Sequence, residues 1–407
     1  MVSYSVYIRN YTFALVAQIS TYKNIKIVKR FNAVGSWALE LEYSENIRPF
    51  LSLEYGIYIL RDDVVICSGP FGEITRKVSS SENSVVLSGP DDNVYVQDRL
   101  VLPNPDGPTG GATGATGYEY YGGTSSTGFD VRTGPAETVI KNYVYYNLGA
   151  GAYSSGSTNA YLLSSAKTDR ILNNFTVVAT AGLGYTVTGL GRFQNLATFI
   201  SDLAISNEND LGWKVFQTSS GLSFDVYQPA DKTGTAKFAV EYGNLVSYDY
   251  TIRSPFANYV FVGGNGANNT RMFIEAKDGQ SITAYKRRIE SFYDQKSGTT
   301  SSDLFQYANQ FLSETADKLD FKIKPLDTEF LQFNGTTNGY TLGDKVSIVV
   351  DGVSFSEIVR GVDITVDSDG EEVLPSIGTP KTNLNFLDRL FGSVRDVSKR
   401  LSVSERV

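Results

Sequence analysis

A mainly β chain interrupted by an α+β insertion is the fold class that this 407-residue sequence predicts. Three observations carry it. Short runs rich in β-branched and aromatic residues recur at even spacing over the first hundred residues and resume from Phe321. Gly, Pro, Asn and Asp clusters punctuate them with turn chemistry. Between these stretches the apolar period lengthens from two to about 3.6 residues, the mark of helices. By composition and period the sequence divides into a strand-rich start to 102, a Gly/Thr/Ser-rich stretch 103–128, an α+β region from 129, a return to strands, and an amphipathic tail 381–407.

In the first segment Tyr4-Val6-Ile8, Ile25-Ile27-Val28, Trp37-Leu39-Leu41, Ile57-Ile59, Val64-Val65-Ile66 and Val85-Val86-Leu87 read as strands. Turns are expected at Asn32 to Gly35, Arg61 to Asp63, Ser68 to Pro70 and Gly89 to Asp92. Many short strands with regular turns imply a closed antiparallel barrel or a sandwich. Residues 103–128 are Gly-, Thr-, Ser- and Pro-rich and bury too little apolar area to offset ordering them. They read either as a surface insertion or as an arm that reaches a neighbouring subunit.

Helical periodicity follows. Pro135 opens one helix, with Ala136, Val139, Ile140 and Tyr143 on one face and Glu137 in the first turn. A second runs from Phe193 to Ile205 on the stripe Leu196, Phe199, Ile200 and Leu203. Trp213 to Phe216 and Leu222 to Val226 then form a hairpin about Ser219-Ser220-Gly221.

From Phe238 the pattern predicts strands. Phe238, Val240 and Tyr242 alternate up to Gly243-Asn244, and a second run, Leu245 to Ile252, breaks at Ser254-Pro255. Tyr259 to Val262 reads as a buried strand ending at the turn Gly263-Gly264-Asn265-Gly266. A helix near 302–318 is capped by Ser302 or Asp303, with Leu304, Tyr307, Ala308, Phe311, Leu312 and Ala316 inward. Val346, Ile348 and Val350 precede the two-residue turn Asp351-Gly352, and Ile358 to Ile364 returns.

Two stretches of the chain echo one another. Tyr55 to Ile59, Asp62-Asp63 and Gly72-Glu73-Ile74-Thr75 stand in the order of Leu342 to Val346, Asp351-Gly352 and Gly361-Val362-Asp363-Ile364-Thr365. A duplication would give two related barrels; chance likeness between hairpins would give none. In the last segment Leu387, Val394 and Leu401 are seven apart, as are Leu390 and Val397, so they fall on the two seam positions of a heptad. Such a helix either folds back on its own domain or makes a seam shared among copies of the chain.

Composition removes several function classes. Histidine is absent, which excludes Ser-His-Asp, Cys-His and HExxH chemistry. The lone Cys67 allows no intrachain disulfide and reads as core packing. A net charge of −8 opposes tight binding to a nucleic-acid backbone and suits a lumen that DNA passes without sticking. No secretory signal is expected at Met1 to Gln18, and no apolar run approaches the roughly 20 residues of a membrane helix.

The remaining motifs read as structure. Asp91-Asp92 singles out no catalytic pair, and Asp367 to Glu372 lacks the ligand spacing of a calcium loop and reads as a charged hairpin tip. Gly263 to Gly266 lacks the lysine of a phosphate cradle. Lys286-Arg287-Arg288 reads as a solvated strand face or an ion pair with Glu290, ahead of contact with DNA. No catalytic, cofactor or metal site is assigned.

A resemblance runs through the chain. Arg30 to Trp37, Gly56-Ile57, Arg61-Asp62, Ser68-Gly69-Pro70, Gly134 to Ile140, Gly243-Asn244-Leu245, Ala257-Asn258, Arg287 to Glu290, Tyr340 to Asp344 and Ile377 to Pro380 resemble, in order, the baseplate-hub (tail-tip hub) proteins of long-tailed bacteriophages. The resemblance implies a structural virion protein at the tail tip, assembled in the host cytoplasm, without enzymatic activity or cofactor. It implies a homotrimeric ring that closes the tail tube, contacts the distal tail protein ring, a tail fibre or spike and the tape-measure protein, and opens for DNA. It also implies two similar antiparallel β-barrels per subunit: one from 1–102 with 213–250, interrupted by an inserted α+β domain at 129–212, and one from 251–380. The helix expected at 381–407 lies outside the resemblance, and Leu387, Leu390, Val394, Val397 and Leu401 are its candidate partner-binding residues by heptad spacing alone.

Two other classes fit the composition. A β-rich carbohydrate-binding or carbohydrate-cleaving protein would act as a monomer with exposed aromatics. An outer-membrane barrel would need detergent.

Overall fold

The computed structural model describes residues 2–102, 129–152, 170–206, 210–296, 298–325, 331–334, 339–350 and 353–378. In chain order these form β1 (Tyr4–Arg9), β2 (Leu15–Ile19), β3 (Asn24–Arg30), β4 (Ser36–Glu42), β5 (Gly56–Arg61), β6 (Val64–Pro70), β7 (Glu73–Val78), β8 (Asn83–Pro90) and the short α1 (Val94–Gln97). The middle holds β9 (Asp130–Pro135), α2 (Ala136–Asn147), β10 (Phe175–Val177), β11 (Thr186–Gly191), α3 (Leu196–Ile205), β12 (Gly212–Thr218) and β13 (Gly221–Tyr227). Then come β14 (Lys237–Ala239), β15 (Leu245–Arg253), β16 (Tyr259–Gly263), β17 (Phe273–Lys277), α4 (Gly279–Tyr285), β18 (Glu290–Asp294) and α5 (Ser301–Thr315). The last are β19 (Lys318–Pro325), β20 (Gln332–Phe333), β21 (Gly339–Tyr340), β22 (Lys345–Val350), β23 (Val353–Asp367) and β24 (Gly370–Gly378). The insertion 103–128 and the helix expected at 381–407 lie outside the described residues.

One long sheet dominates, in the order β15-β19-β24-β23-β3-β4-β8-β7. Its neighbours are antiparallel throughout. The order contains a repeat: β3-β4-β8-β7 in the first half and β15-β19-β24-β23 in the second, joined where β23 meets β3. In each half a strand turns a corner out of a neighbouring sheet. β6 pairs with β5, the chain bends at Phe71-Gly72, and β7 pairs with β8. β23 pairs first with β22, shifts register between Val359 and Gly361, and continues against β24 and β3. Gly361 lies at its corner because a Cβ would stand 2.8 Å from the Arg30 guanidinium and 3.1 Å from the Lys29 carbonyl. The echo read in the sequence coincides with these hairpins and corners.

Alternation explains why the sheet has one apolar face. Ile25 and Ile27, Trp37, Leu39 and Leu41, Val85 and Leu87, and Val362, Ile364 and Val366 all point to one buried core. That core continues through Val6, Ile8, Ile57 and Ile59 into Phe238, Val346, Ile348 and Ile377, so both halves share it. Burying an aliphatic side chain of this size is worth about 1.5–3 kcal/mol.

A second core lies under the inserted region. Ala136, Val139, Ile140 and Tyr143 of α2, with Leu196, Ile200 and Leu203 of α3, pack on Trp213, Phe224 and Val226. The α2 face and the β12–β13 hairpin are those the sequence predicts. Stretch 213–250, expected to return to the first barrel, is shared out: β12 and β13 join this second core, whereas β14 pairs with β22 and β15 with β19. A third core is formed by α5 against β16–β18, through Val260, Val262, Leu304, Ala308 and Phe311.

Several expectations are corrected. The closed barrels are not formed: among the described residues every sheet is open, because β23 pairs with β3 and links the halves instead of closing either. Val240 and Tyr242 are not strand residues but lie in a 3-10 turn, Val240–Tyr242, that ends at Gly243 with φ 67°. The Asn244 side chain accepts from the Ala239 N–H at 2.9 Å and donates to the Lys237 carbonyl at 2.7 Å. Helix α5 is capped by Thr300, one residue before its start, with Asp303 completing a capping box. Helix α3 begins at Leu196, three residues later than predicted, because the Asn195 side chain caps it. Strands β2, β7, β9, β10, β11 and β17 and helices α1 and α4 were not anticipated.

Candidate functional site

Among the described residues the long sheet ends in two strands that pair on one side only, β7 and β15. Unpaired N–H and C=O groups along a strand edge are a template for another chain. At the internal joint the side chains that would be left open, Ile25 and Ile27 of β3 and Val362 and Ile364 of β23, are buried against each other. At the outer ends apolar side chains reach solvent: Val78 on β7 is 71% exposed and Val246 on β15 is 54% exposed, while Tyr250 of β15, 42% exposed, packs on the Tyr248 and Phe355 rings. In the repeated order β7 and β15 hold the places that β23 and β3 hold at the internal joint.

The face of the sheet away from the core is largely polar, broken by Val28, Val86 and Leu374. Ser36, Ala38, Thr75, Ser88, Ser247, Thr251 and Thr365 share it with Glu40, Glu42, Glu73, Asp249, Asp363, Asp367 and Glu372. Carboxylates outnumber the cations there, and two of those are already engaged: Arg30 lies 2.6 Å from Asp363, and Lys324 lies 2.6 Å from Glu372. Such a face repels a phosphate backbone rather than holding it.

Buried ion pairs tie the parts together. Arg61 on β5 donates to both oxygens of Glu371 on β24, at 2.7 and 2.6 Å, and to the Phe333 carbonyl at 2.9 Å. The Tyr4 hydroxyl joins the same carboxylate, and burial beside it holds that phenol above its ordinary range. Arg9 on β1 clasps both oxygens of Asp92 and reaches Gln217 on β12, while the Ser68 hydroxyl donates to Asp92. In the inserted region Lys141 bridges Glu137 at 2.7 Å and Asp225 at 2.9 Å. Glu137 also accepts from the Ala181 and Leu183 N–H groups; these bonds outweigh burial and hold its carboxyl below the usual range.

The motifs weighed in the sequence take structural places. Cys67 is buried on β6 and burial pushes its thiol up to about 12, so it is an inert core residue. Asp92 is consumed by Arg9, whereas burial lifts the neighbouring Asp91 to about 6 against the pull of Lys29. Asp367 to Glu372 is a hairpin tip, with Gly370 at φ 123° and the Asp369 N–H donating to the Asp367 carboxylate. Arg288 pairs with Glu290 at 2.7 Å. Among the described residues no group of three or more Cys, Asp or Glu side chains is placed to hold a metal ion, and no helix is long and apolar enough to cross a membrane. The expected seam residues Leu387, Leu390, Val394, Val397 and Leu401 lie outside the described residues. The open edges were missed in the sequence; β7, Glu73–Val78, lacks the apolar alternation that marks a half-buried strand.

Comparison with known proteins follows from this geometry. The model of the Siphovirus ReqiPepy6 Gp37-like protein family matches residues 5–379. No curated protein sequence matches the chain. Among solved structures, the 43 kDa tail protein of prophage MuSo2 from Shewanella oneidensis is similar over 92% of this chain and 98% of its own, at 10% identity and a TM-score of 0.56. A tail protein from Neisseria meningitidis MC58 is similar over 92% of this chain and 96% of its own, at 13% identity and a TM-score of 0.54. Prophage tail protein gp18 from Listeria monocytogenes EGD-e is similar over 96% of this chain and 99% of its own, at 10% identity and a TM-score of 0.53. The fold is the one these tail proteins share.

Proposed function

Since the chain belongs to the Siphovirus ReqiPepy6 Gp37-like protein family, we propose that it is a structural hub of a phage tail tip, three copies of which form a ring that closes the tail tube. The observation that carries this reading is the repeated strand order, with β7 and β15 left open at its ends. β7 of one copy pairs with β15 of the next as β23 pairs with β3 within the chain. Head-to-tail contacts of this kind either close into a ring or run on as a filament. Three copies would present six look-alike β modules, which lets a threefold ring sit on a sixfold tube.

In the ring each module, one from 1–102 and one from 251–380 with strands contributed by 213–250, completes its barrel-like layer with its neighbours, and the α+β region 129–212 stands off it. The polar, carboxylate-rich face lines the lumen, so DNA passes without being held. The distal tail ring meets one rim and a fibre or spike the other; the tape-measure protein ends within. The heptad residues Leu387, Leu390, Val394, Val397 and Leu401 add a second seam between copies. The role is non-catalytic and the site of action is the virion tail tip.

Light scattering on the purified protein tests this. The expected result is a mass of three 44.6 kDa chains, alone or once the neighbouring tail-ring protein is added. A particle that stays at one chain under both conditions contradicts it.

A further inference from the structure

Away from the long sheet, the three-stranded sheet β17-β16-β18 covers α5 with one face and opens the other to solvent. Strict alternation sorts its residues: Val260, Val262, Ile274, Ala276 and Tyr293 face the helix. Tyr259, Phe261, Phe273 and Phe292 stand on the opposite face, where Phe273 is 55% and Phe292 54% exposed while Tyr259 is buried beneath Arg288. Their rings lie close, with centroids 5.4 Å apart for Tyr259 and Phe261 and 6.4 Å for Phe273 and Phe292.

The cations on this face are held in place by the protein itself. Arg271 donates to the carbonyls of Gly264 at 3.0 Å and Gly263 at 3.1 Å, and pairs with Asp294. It lies across Gly263, where a Cβ would stand 2.6 Å from the guanidinium, and reaches the rings of Phe273 and Phe292. Arg288 sits 3.5 Å over the Tyr259 ring and pairs with Glu290, while the Tyr259 hydroxyl donates to Glu275 at 2.6 Å. With Lys277 on the same face, three cations offset three carboxylates.

Size and charge select the occupant. Three strands of five residues cover roughly 16 by 14 Å. That is about 220 Å², well short of the ~800 Å² per partner of a stable protein interface. The balanced charge offers a nucleic-acid backbone no net attraction. We propose that this face binds a neutral oligosaccharide: its sugar rings lay their C–H faces on Phe261, Phe273 and Phe292, and its hydroxyls bond to Glu275, Glu290 and Arg271. The proposal does not depend on ring assembly, since the face is complete within one chain.

Isothermal titration of the full chain with maltohexaose, cellohexaose and chitohexaose tests it, with a dT oligonucleotide alongside. At least one hexasaccharide is expected to bind, with affinity changing less than about twofold as salt rises severalfold. The double change Phe273→Ala and Phe292→Ala is expected to weaken it at least about tenfold, and Phe273→Tyr with Phe292→Tyr to keep it within about threefold. Both variants alter half-exposed rings, so their melting curves should match the parent. Binding of none of the three sugars, binding indifferent to the alanine changes, or salt-sensitive binding of the oligonucleotide in their place overturns the proposal.

Discussion

Without the Arg9 guanidinium, the Asp92 carboxylate would be left buried with the Ser68 hydroxyl beside it. Breaking one side of such a pair costs about 3–5 kcal/mol, whereas replacing both sides with apolar groups of similar volume costs far less. Arg9→Met should therefore destabilise strongly in urea unfolding, and Arg9→Met with Asp92→Leu should recover most of the loss. Asp91, the next residue, behaves oppositely. Burial raises its carboxyl from 3.8 to about 6 in the folded chain, so the folded state binds the proton more tightly than the unfolded state. Its contribution is then present below pH 4 and lost as pH rises to about 6. Asp91→Asn should flatten that part of the stability profile measured by urea midpoints, and an unchanged slope would contradict the assignment. Neither role was legible in the sequence, where Asp91-Asp92 is two adjacent acids. Which of them meets Arg9 depends on strands more than eighty residues apart being brought together.

At the scale of elements, the sequence was legible wherever one face of a strand or helix is buried. Ile25 and Ile27, Trp37 to Leu41, the α2 stripe Ala136 to Tyr143 and the hairpin β12–β13 all announce themselves by period. It was misleading where long-range pairing decides. β14 lies parallel to β22, more than a hundred residues away, and Asn244 bends the chain that the alternation of Val240 and Tyr242 would have kept extended. Edge strands hide for a related reason: β7 buries little, so its sequence has little to alternate. The two edges make a prediction of their own. Val246→Glu and Val78→Glu place carboxylates on side chains that the isolated chain leaves more than half exposed, so the melting temperature should hardly move. Assembly should suffer instead, with the sedimentation profile shifting to single chains; a variant that still assembles would show that these edges are not the contact.

For the whole molecule, the decisive feature is a repeat that sequence only hinted at. Gly72 to Thr75 and Gly361 to Thr365 echo one another because both follow a corner, yet the strand order around them shows only in the sheet. A chain with two such units, open at both ends among the described residues, has a joint to make. Because Cys67 is buried, introduced cysteines can report that joint without interference. The direct measurement is oxidative cross-linking of chains carrying Thr75→Cys together with Ser247→Cys, Asp249→Cys or Thr251→Cys in turn. Denaturing gels should show a ladder that stops at three chains for at least one register. A ladder that runs on past three, or no cross-link at any register, would contradict a closed ring built through β7 and β15.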